Sequence, residues 1–294
     1  MDRKREYLGY GLAAVSAVTF SAKGVLAKVL YGYGVDPVTL LALRFLMALP
    51  FFWVMVLAYP SKERTSIRDV AMLVLSGLVG LYAAALADFY GLLYIDASLE
   101  RVVLYTYPAI VIVLSSMFFK ERLDGVKIFA LALTYAGLAL ALKLYSGVME
   151  GTFIGAGLVL FSALVYSFSY IITQLLGVRV SGVKISAYTV TAATAAFAAT
   201  WHGSRLPAGA NAWLILGVIA VFSTFIPTLA IALSIRMIGA GRAATVGFIG
   251  PLSTALLAYL TLGETMDTLQ ITGMVIVMAG VLIISSRSTG KIKT

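Results

Sequence analysis

The chain alternates long apolar runs with short polar gaps. Ten runs stand out, at about residues 8–30, 38–58, 70–94, 98–119, 125–142, 152–175, 184–200, 212–236, 241–262 and 268–286. Each approaches the roughly 20 apolar residues an α-helix needs to cross the hydrocarbon core of a bilayer. Turn-forming residues fill the gaps: Asp36-Pro37, Tyr59-Pro60-Ser61, Asp124-Gly125 and Arg205-Leu206-Pro207. The pattern predicts an all-α integral membrane protein of ten transmembrane helices, with no long soluble domain.

A second pattern overlies the first. Pro108, Glu121, Asp124, Ala136 and Gly137 return as Pro251, Glu264, Asp267, Ala279 and Gly280, each pair 143 residues apart (251 − 108). Gly9, Gly11, Leu12, Ser16, Ala17 and Ser21 return as Gly155, Gly157, Leu158, Ser162, Ala163 and Ser167, at an offset of 146 (155 − 9). The chain reads as a single membrane domain of two repeats, 1–145 and 146–294, with five helices in each. Five is odd, so the second repeat must enter the membrane from the opposite side. Inverted-topology repeats are a recurring architecture of secondary transporters.

Composition sharpens this picture. Hydrophobic residues make up 61% of the chain and charged residues 12%, about half the charged share of a soluble domain. The net charge of +9 could suggest nucleic acid, but the basic residues cluster in the gaps between apolar runs, and no nucleic-acid partner is expected. With the N-terminus in the cytoplasm, sixteen of the 22 lysines and arginines fall on the inner side. This bias predicts cytoplasmic N- and C-termini and residence in the cytoplasmic (inner) membrane. No cleavable signal is expected, because the first apolar run is too long and lacks a small-residue cleavage site. Cysteine is absent, and no HExxH, Walker, GxSxG or CxxC motif occurs. Enzymatic chemistry, a metal or a cofactor is therefore not expected.

Candidate functional residues are those that sit awkwardly in hydrocarbon. Lys23, Arg44 and Asp88 each lie about six or seven residues from the expected outer ends of the first three runs. At about 1.5 Å per residue they share a depth on the order of 9–10 Å. Buried charges need partners, so Asp88 is expected to pair with Lys23 or Arg44, as a substrate ligand, a gate or a structural ion pair. Phe20, Tyr82, Tyr105, Tyr107, Tyr166, Tyr170 and Phe248 fall within spans and are candidates for an aromatic cavity with polar tips. Pro108 and Pro251, with Gly247 and Gly250, mark candidate kinks or hinges, joined by Arg44 as a gating residue. Asp124 and Asp267 read as helix N-caps, and Glu121 and Glu264 as punctuation beside them. The single histidine, His202, reads as interfacial. Small residues such as Gly137, Gly273 and Gly280 suit close helix packing or dimer contacts, and monomer and homodimer both stay open.

Four stretches carry a family likeness: Leu43-Arg44-Phe45, Tyr90 through Ser98, Pro108 through Glu121-Arg122-Leu123, and Leu262-Gly263-Glu264. In order and spacing they resemble the ten-helix EamA family of the drug/metabolite transporter superfamily, which includes bacterial amino-acid and aromatic amino-acid exporters. Asp88 and Glu100-Arg101 depart from the family pattern. The resemblance implies a carrier that moves small metabolites out of the cytoplasm. It also implies that helices one to four and six to nine line a cavity, with helices five and ten outside. The expectation is a secondary-active exporter of amino acids, aromatic or bulky apolar ones first, working by alternating access. A nucleotide-sugar or drug carrier, or a membrane scaffold or lipid-handling protein, is the alternative. The expected partners are a small-molecule substrate and membrane lipid.

Overall fold

The computed structural model describes residues 3–61, 63, 65–119, 124–142, 150–202, 206–247 and 249–286. Among these the protein is helical apart from short connections, with no strand. In chain order the helices are α1 (Arg3–Gly32), α2 (Pro37–Ala58), α3 (Ile67–Gly91), α4 (Ala97–Phe118), α5 (Gly125–Ala141), α6 (Gly151–Leu176), α7 (Gly182–Thr200), α8 (Ala210–Ile238), α9 (Ala240–Leu262) and α10 (Thr268–Ser286). Seven of them, all but α5, α7 and α10, are long and apolar enough to cross a membrane. The polar gaps start the helices. Asp36 accepts hydrogen bonds from Val38 N and Thr39 N, both at 3.0 Å, with Pro37 in the first turn. Asp124 caps α5 through Lys127 N at 2.9 Å. Asp267 caps α10 through Gln270 N at 2.8 Å, while the Gln270 side chain accepts from Asp267 N at 3.0 Å.

The rods are broken at related places. α1 is interrupted at Ala22, α4 between Leu104 and Tyr107, and α9 between Val246 and Ile249. The α4 and α9 breaks lie 142 residues apart (246 − 104). π-helical turns widen α3 at Gly77–Ala83 and α8 at Val221–Phe225. In α8 the cause is local: Pro227 has no N–H to continue the ladder just past the turn. Pro108 does not kink a continuous helix, as the sequence suggests. It is the second residue of a new segment, Tyr107–Phe119, where a missing N–H costs little. Pro251 is the third residue of Ile249–Leu262, also in the first turn.

Two interfaces position everything else. Hydroxyls on α1, α8 and α9 bond carbonyls across the halves: Ser16 to Pro227 O at 2.9 Å, Ser234 to Gly9 O at 2.8 Å, and Thr254 to Ser21 O at 2.9 Å. α5 and α10 meet through the small residues. A Cβ on Gly273 would sit 2.4 Å from Ala141 N, and one on Gly137 would sit 2.7 Å from Val277 N. The small-residue stripe is thus spent within one chain, rather than left for a dimer contact.

Candidate functional site: a charged and aromatic chamber

The break in α1 places Lys23 at the start of a new helical segment, with its side chain buried. Of the two partners expected for Asp88, the structure selects Lys23: the ammonium contacts Asp88 Oδ2 in a short ion pair. Glu100 joins from α4, its Oε1 lying 3.5 Å from Lys23 Nζ. One ammonium therefore serves two carboxylates. Gly24 makes room for this, since a Cβ there would lie 3.0 Å from Glu100 Oε2.

Two guanidiniums stand around this cluster. Arg44 is 4% exposed, with its Cζ 4.8 Å from the Phe45 ring and 4.9 Å from the Phe89 ring. Arg101 is 5% exposed, with its Cζ 5.1 Å from the Phe20 ring. Lys23 lies over the same two phenyl rings, 4.5 Å from Phe20 and 5.7 Å from Phe89. Three cations and two rings thus alternate along one side of the chamber. Neither arginine makes an ion pair among the described residues. Arg44 Nε, Arg44 Nη1 and Arg101 Nε are buried without an acceptor, and Asp88 Oδ1 and both Glu100 oxygens accept no hydrogen bond.

The aromatic wall is built from α4 and α6. Tyr107 packs 5.5 Å from Tyr166 and 5.4 Å from Tyr170, and Tyr166 stacks on Phe20 at 6.3 Å. The Tyr107 hydroxyl donates to Ala244 O at 3.2 Å, which anchors it to α9. The space divides into three small compartments, and Tyr166 lines all of them. One, of about 40 Å³, holds Lys23, Arg44, Asp88 and Phe20. A second, of about 20 Å³, holds Arg101, Phe20, Tyr107 and Tyr170. The third, of about 40 Å³, is hydroxyl-rich, with Ser169, Ser186, Thr189 and Thr228. Each has room for roughly one to three waters, so cargo larger than water requires the helices to separate.

The structure brings Phe20, Lys23, Asp88, Arg44, Tyr107, Tyr166, Tyr170 and Gly247 to this chamber. Other candidates fall elsewhere. Tyr82 packs on Phe197, 4.6 Å between ring centroids. Tyr105 is buried and donates to Thr245 O at 3.2 Å, clamping α4 to α9. Phe248 lies outside the described residues. The glycines have a steric role. A Cβ on Gly247 would lie 2.7 Å from the Tyr107 hydroxyl, and one on Gly250 would lie 2.7 Å from Arg101 Nη2.

Sequence reasoning did not count Glu100 and Arg101 as site residues and noted them only as a departure from the family pattern. The available signal was a charge pair one turn inside an apolar run. Glu264 is more than punctuation. Its carboxylate accepts from Ala97 N at 3.0 Å and Ser98 N at 3.1 Å, capping α4 from the other half, and meets Lys28 at 3.4 Å. At the opposite ends of the helices, ion pairs join Arg242 to Glu6 at 2.9 Å, Arg179 to Asp69 at 2.8 Å, and Arg236 to Glu63. Cross-half contacts therefore close both ends of the chamber.

Comparisons with known proteins place this arrangement. The model of the EamA-like transporter family matches residues 7–143 and 153–286. An uncharacterized transporter, YcbK, of Bacillus subtilis (strain 168) is 30% identical over 271 residues, 88% of this chain and 86% of its own length. An uncharacterized transporter of Archaeoglobus fulgidus is 26% identical over 188 residues, 64% of this chain and 67% of its own. One solved crystal structure shares the fold with a TM-score of 0.70 at 16% identity, covering 96% of each chain.

Proposed function

This chain belongs to the EamA-like transporter family, and from that premise we propose that it exports amino acids, aromatic or bulky apolar ones first, across the cytoplasmic membrane. At the coarser level it is a multi-pass membrane protein and a transporter. The observation that carries the finer reading is the chamber, where charges of both signs lie beside a wall of tyrosines. An amino acid with an aromatic side chain presents the same combination, a charged head and an aromatic tail. All ten helices cross the bilayer in this reading, as two inverted repeats of 1–145 and 146–294 with cytoplasmic termini. The matched breaks of α4 and α9 and the two matched family segments support it.

The mechanism is alternating access. Cargo enters when one set of end contacts releases and the other holds. The Glu6–Arg242 and Glu63–Arg236 pairs close the cytoplasmic end, and the Glu264 cap with Lys28 closes the outer end. Lys23, Asp88, Arg44 and Arg101 hold the head group, and Phe20, Tyr107, Tyr166 and Tyr170 hold the side chain. The breaks at Pro108 and around Gly247 to Pro251 let the halves of α4 and α9 move separately.

Counterflow in proteoliposomes tests the proposal. Vesicles loaded with one unlabelled amino acid at a time are followed for uptake of labelled phenylalanine. Stimulation by phenylalanine, tyrosine or leucine above lysine or aspartate is the expected result. No stimulation by any amino acid, in vesicles shown to hold folded protein, would overturn it.

A further inference from the structure

The chamber holds more cation than its own carboxylates neutralise. Among the described residues, Lys23, Arg44 and Arg101 share only Asp88 and Glu100, and both acids form their ion pairs with Lys23. Neither guanidinium has an ion pair of its own there, and Arg44 Nε, Arg44 Nη1 and Arg101 Nε are buried donors without an acceptor. Their geometry is nonetheless fixed. Arg101 packs against Phe20, and no Cβ intrudes at Gly250, where one would stand 2.7 Å from Nη2. Arg44 lies against Phe45 and Phe89. A guanidinium held by its faces keeps its N–H donors in plane, free for an acceptor of matching shape. Unmet donors on a buried cation are unfavourable, so the arrangement is stabilised when an anion arrives.

We propose that the Arg101 guanidinium is the receptor for a carboxylate on the cargo, with Arg44 adding positive charge from the neighbouring compartment, and that the α-amino group is dispensable. The substrate class is then aromatic monocarboxylates, with or without an amino group. The inference rests on the reading of this chamber as the transport site. A carboxylate matches a guanidinium fork and adds the missing negative charge. The Arg101 compartment shares its walls with Tyr107, Tyr166 and Tyr170, which suit the ring. An added amine must compete with Lys23 for Asp88, among cations already in excess. An aromatic amine without a carboxylate therefore meets like charge and no compensation.

The test is binding to the purified full-length protein in detergent, by isothermal titration calorimetry, with four ligands of similar size. These are phenylalanine, 3-phenylpropionate, phenylalaninamide and 2-phenylethylamine. Phenylalanine and 3-phenylpropionate are expected to bind, and the amide and amine about tenfold or more weaker. Arg101→Gln is expected to weaken both carboxylates by about tenfold or more and Arg101→Lys by less, because lysine keeps the charge but not the fork. Equal binding of 2-phenylethylamine and 3-phenylpropionate would overturn the proposal, as would phenylalanine binding without 3-phenylpropionate. Wild-type carboxylate affinity in folded Arg101→Gln and Arg44→Gln proteins would overturn it too. If Arg101→Gln does not fold, the ligand panel on the unmutated protein still decides. Binding of none of the four would instead remove the proposed function, and this inference with it.

Discussion

The two halves of the chain face one chamber with different chemistry. Residues 3–142 contribute Lys23, Arg44, Asp88, Glu100 and Arg101, all buried. Residues 150–286 contribute Tyr166, Tyr170, Ser162, Ser169 and Thr228, and among the described residues no charged side chain of this half is buried. The scaffold repeats, but the lining does not. The family matches both halves, and the breaks and π-turns fall at corresponding positions, 142 (246 − 104) and 144 (221 − 77) residues apart, whereas each half's side chains are free to diverge. The charges that suit a head group come from the first half alone, whereas the aromatic wall that suits a tail is shared, Phe20 and Tyr107 from the first half and Tyr166 and Tyr170 from the second.

That contrast can be broken most severely at Asp88. Asp88→Leu removes the nearer carboxylate of Lys23 and leaves only Glu100, at 3.5 Å, and is expected to cost up to about 3–5 kcal/mol, read as a large drop in the unfolding midpoint in detergent. Lys23→Met combined with Asp88→Leu should regain most of that stability while counterflow stays absent, which separates folding from transport. Recovery of neither would mean that Glu100 and the arginines depend on the pair. A smaller effect is expected at Gly250, where the new methyl of Gly250→Ala would push on the guanidinium of Arg101. Counterflow should fall about tenfold, equivalent to about 1.4 kcal/mol, with little change in unfolding. On the hydroxyl side, Ser186→Ala removes a bond to Thr228 O of 3.3 Å, and a loss of about 0.5–1.5 kcal/mol is expected in the same unfolding assay. A loss matching that of Asp88→Leu would erase the contrast between the halves. The smallest effect belongs to the rim. Glu6→Gln opens a partly exposed pair with Arg242 and should change stability by at most about 1 kcal/mol. The difference from wild type should shrink as salt is raised.

Much of the scaffold was legible because hydrocarbon is an unforgiving solvent. Apolar runs had to become helices, and Lys23 and Asp88, at one depth, had to find each other. Pro108 and Pro251 marked the α4 and α9 breaks because proline is favoured in the first turn of a helical segment, whereas Pro50 sits inside the unbroken α2. Arg101 was misjudged because it follows a polar connection by only one turn, where sequence does not separate a rim charge from a buried one. Glu264 was misjudged because the N–H groups it caps, Ala97 and Ser98, lie 167 and 166 residues away. The hinge reading of Gly247 and Gly250 came from the freedom glycine has along a chain, but their use here depends on what packs above them. The π-turn at Val221–Phe225 carries no residue signature of its own, and Pro227 explains it only once the helix is seen.

The seam between α5 and α10 has a consequence for how the protein is made. α5 is synthesised well before its partner, the last described helix of the chain. The start of α10 lies 127 residues past the end of α5 (268 − 141), so at a synthesis rate of about 5–20 residues per second the glycine groove of α5 waits roughly 6 to 25 seconds before α10 emerges. During that time only lipid, or a helper in the insertion machinery, can cover the exposed backbone around Gly137. A ribosome that stalls before Thr268 would leave a chain with an open sticky seam, a form that quality-control proteases are well placed to recognise.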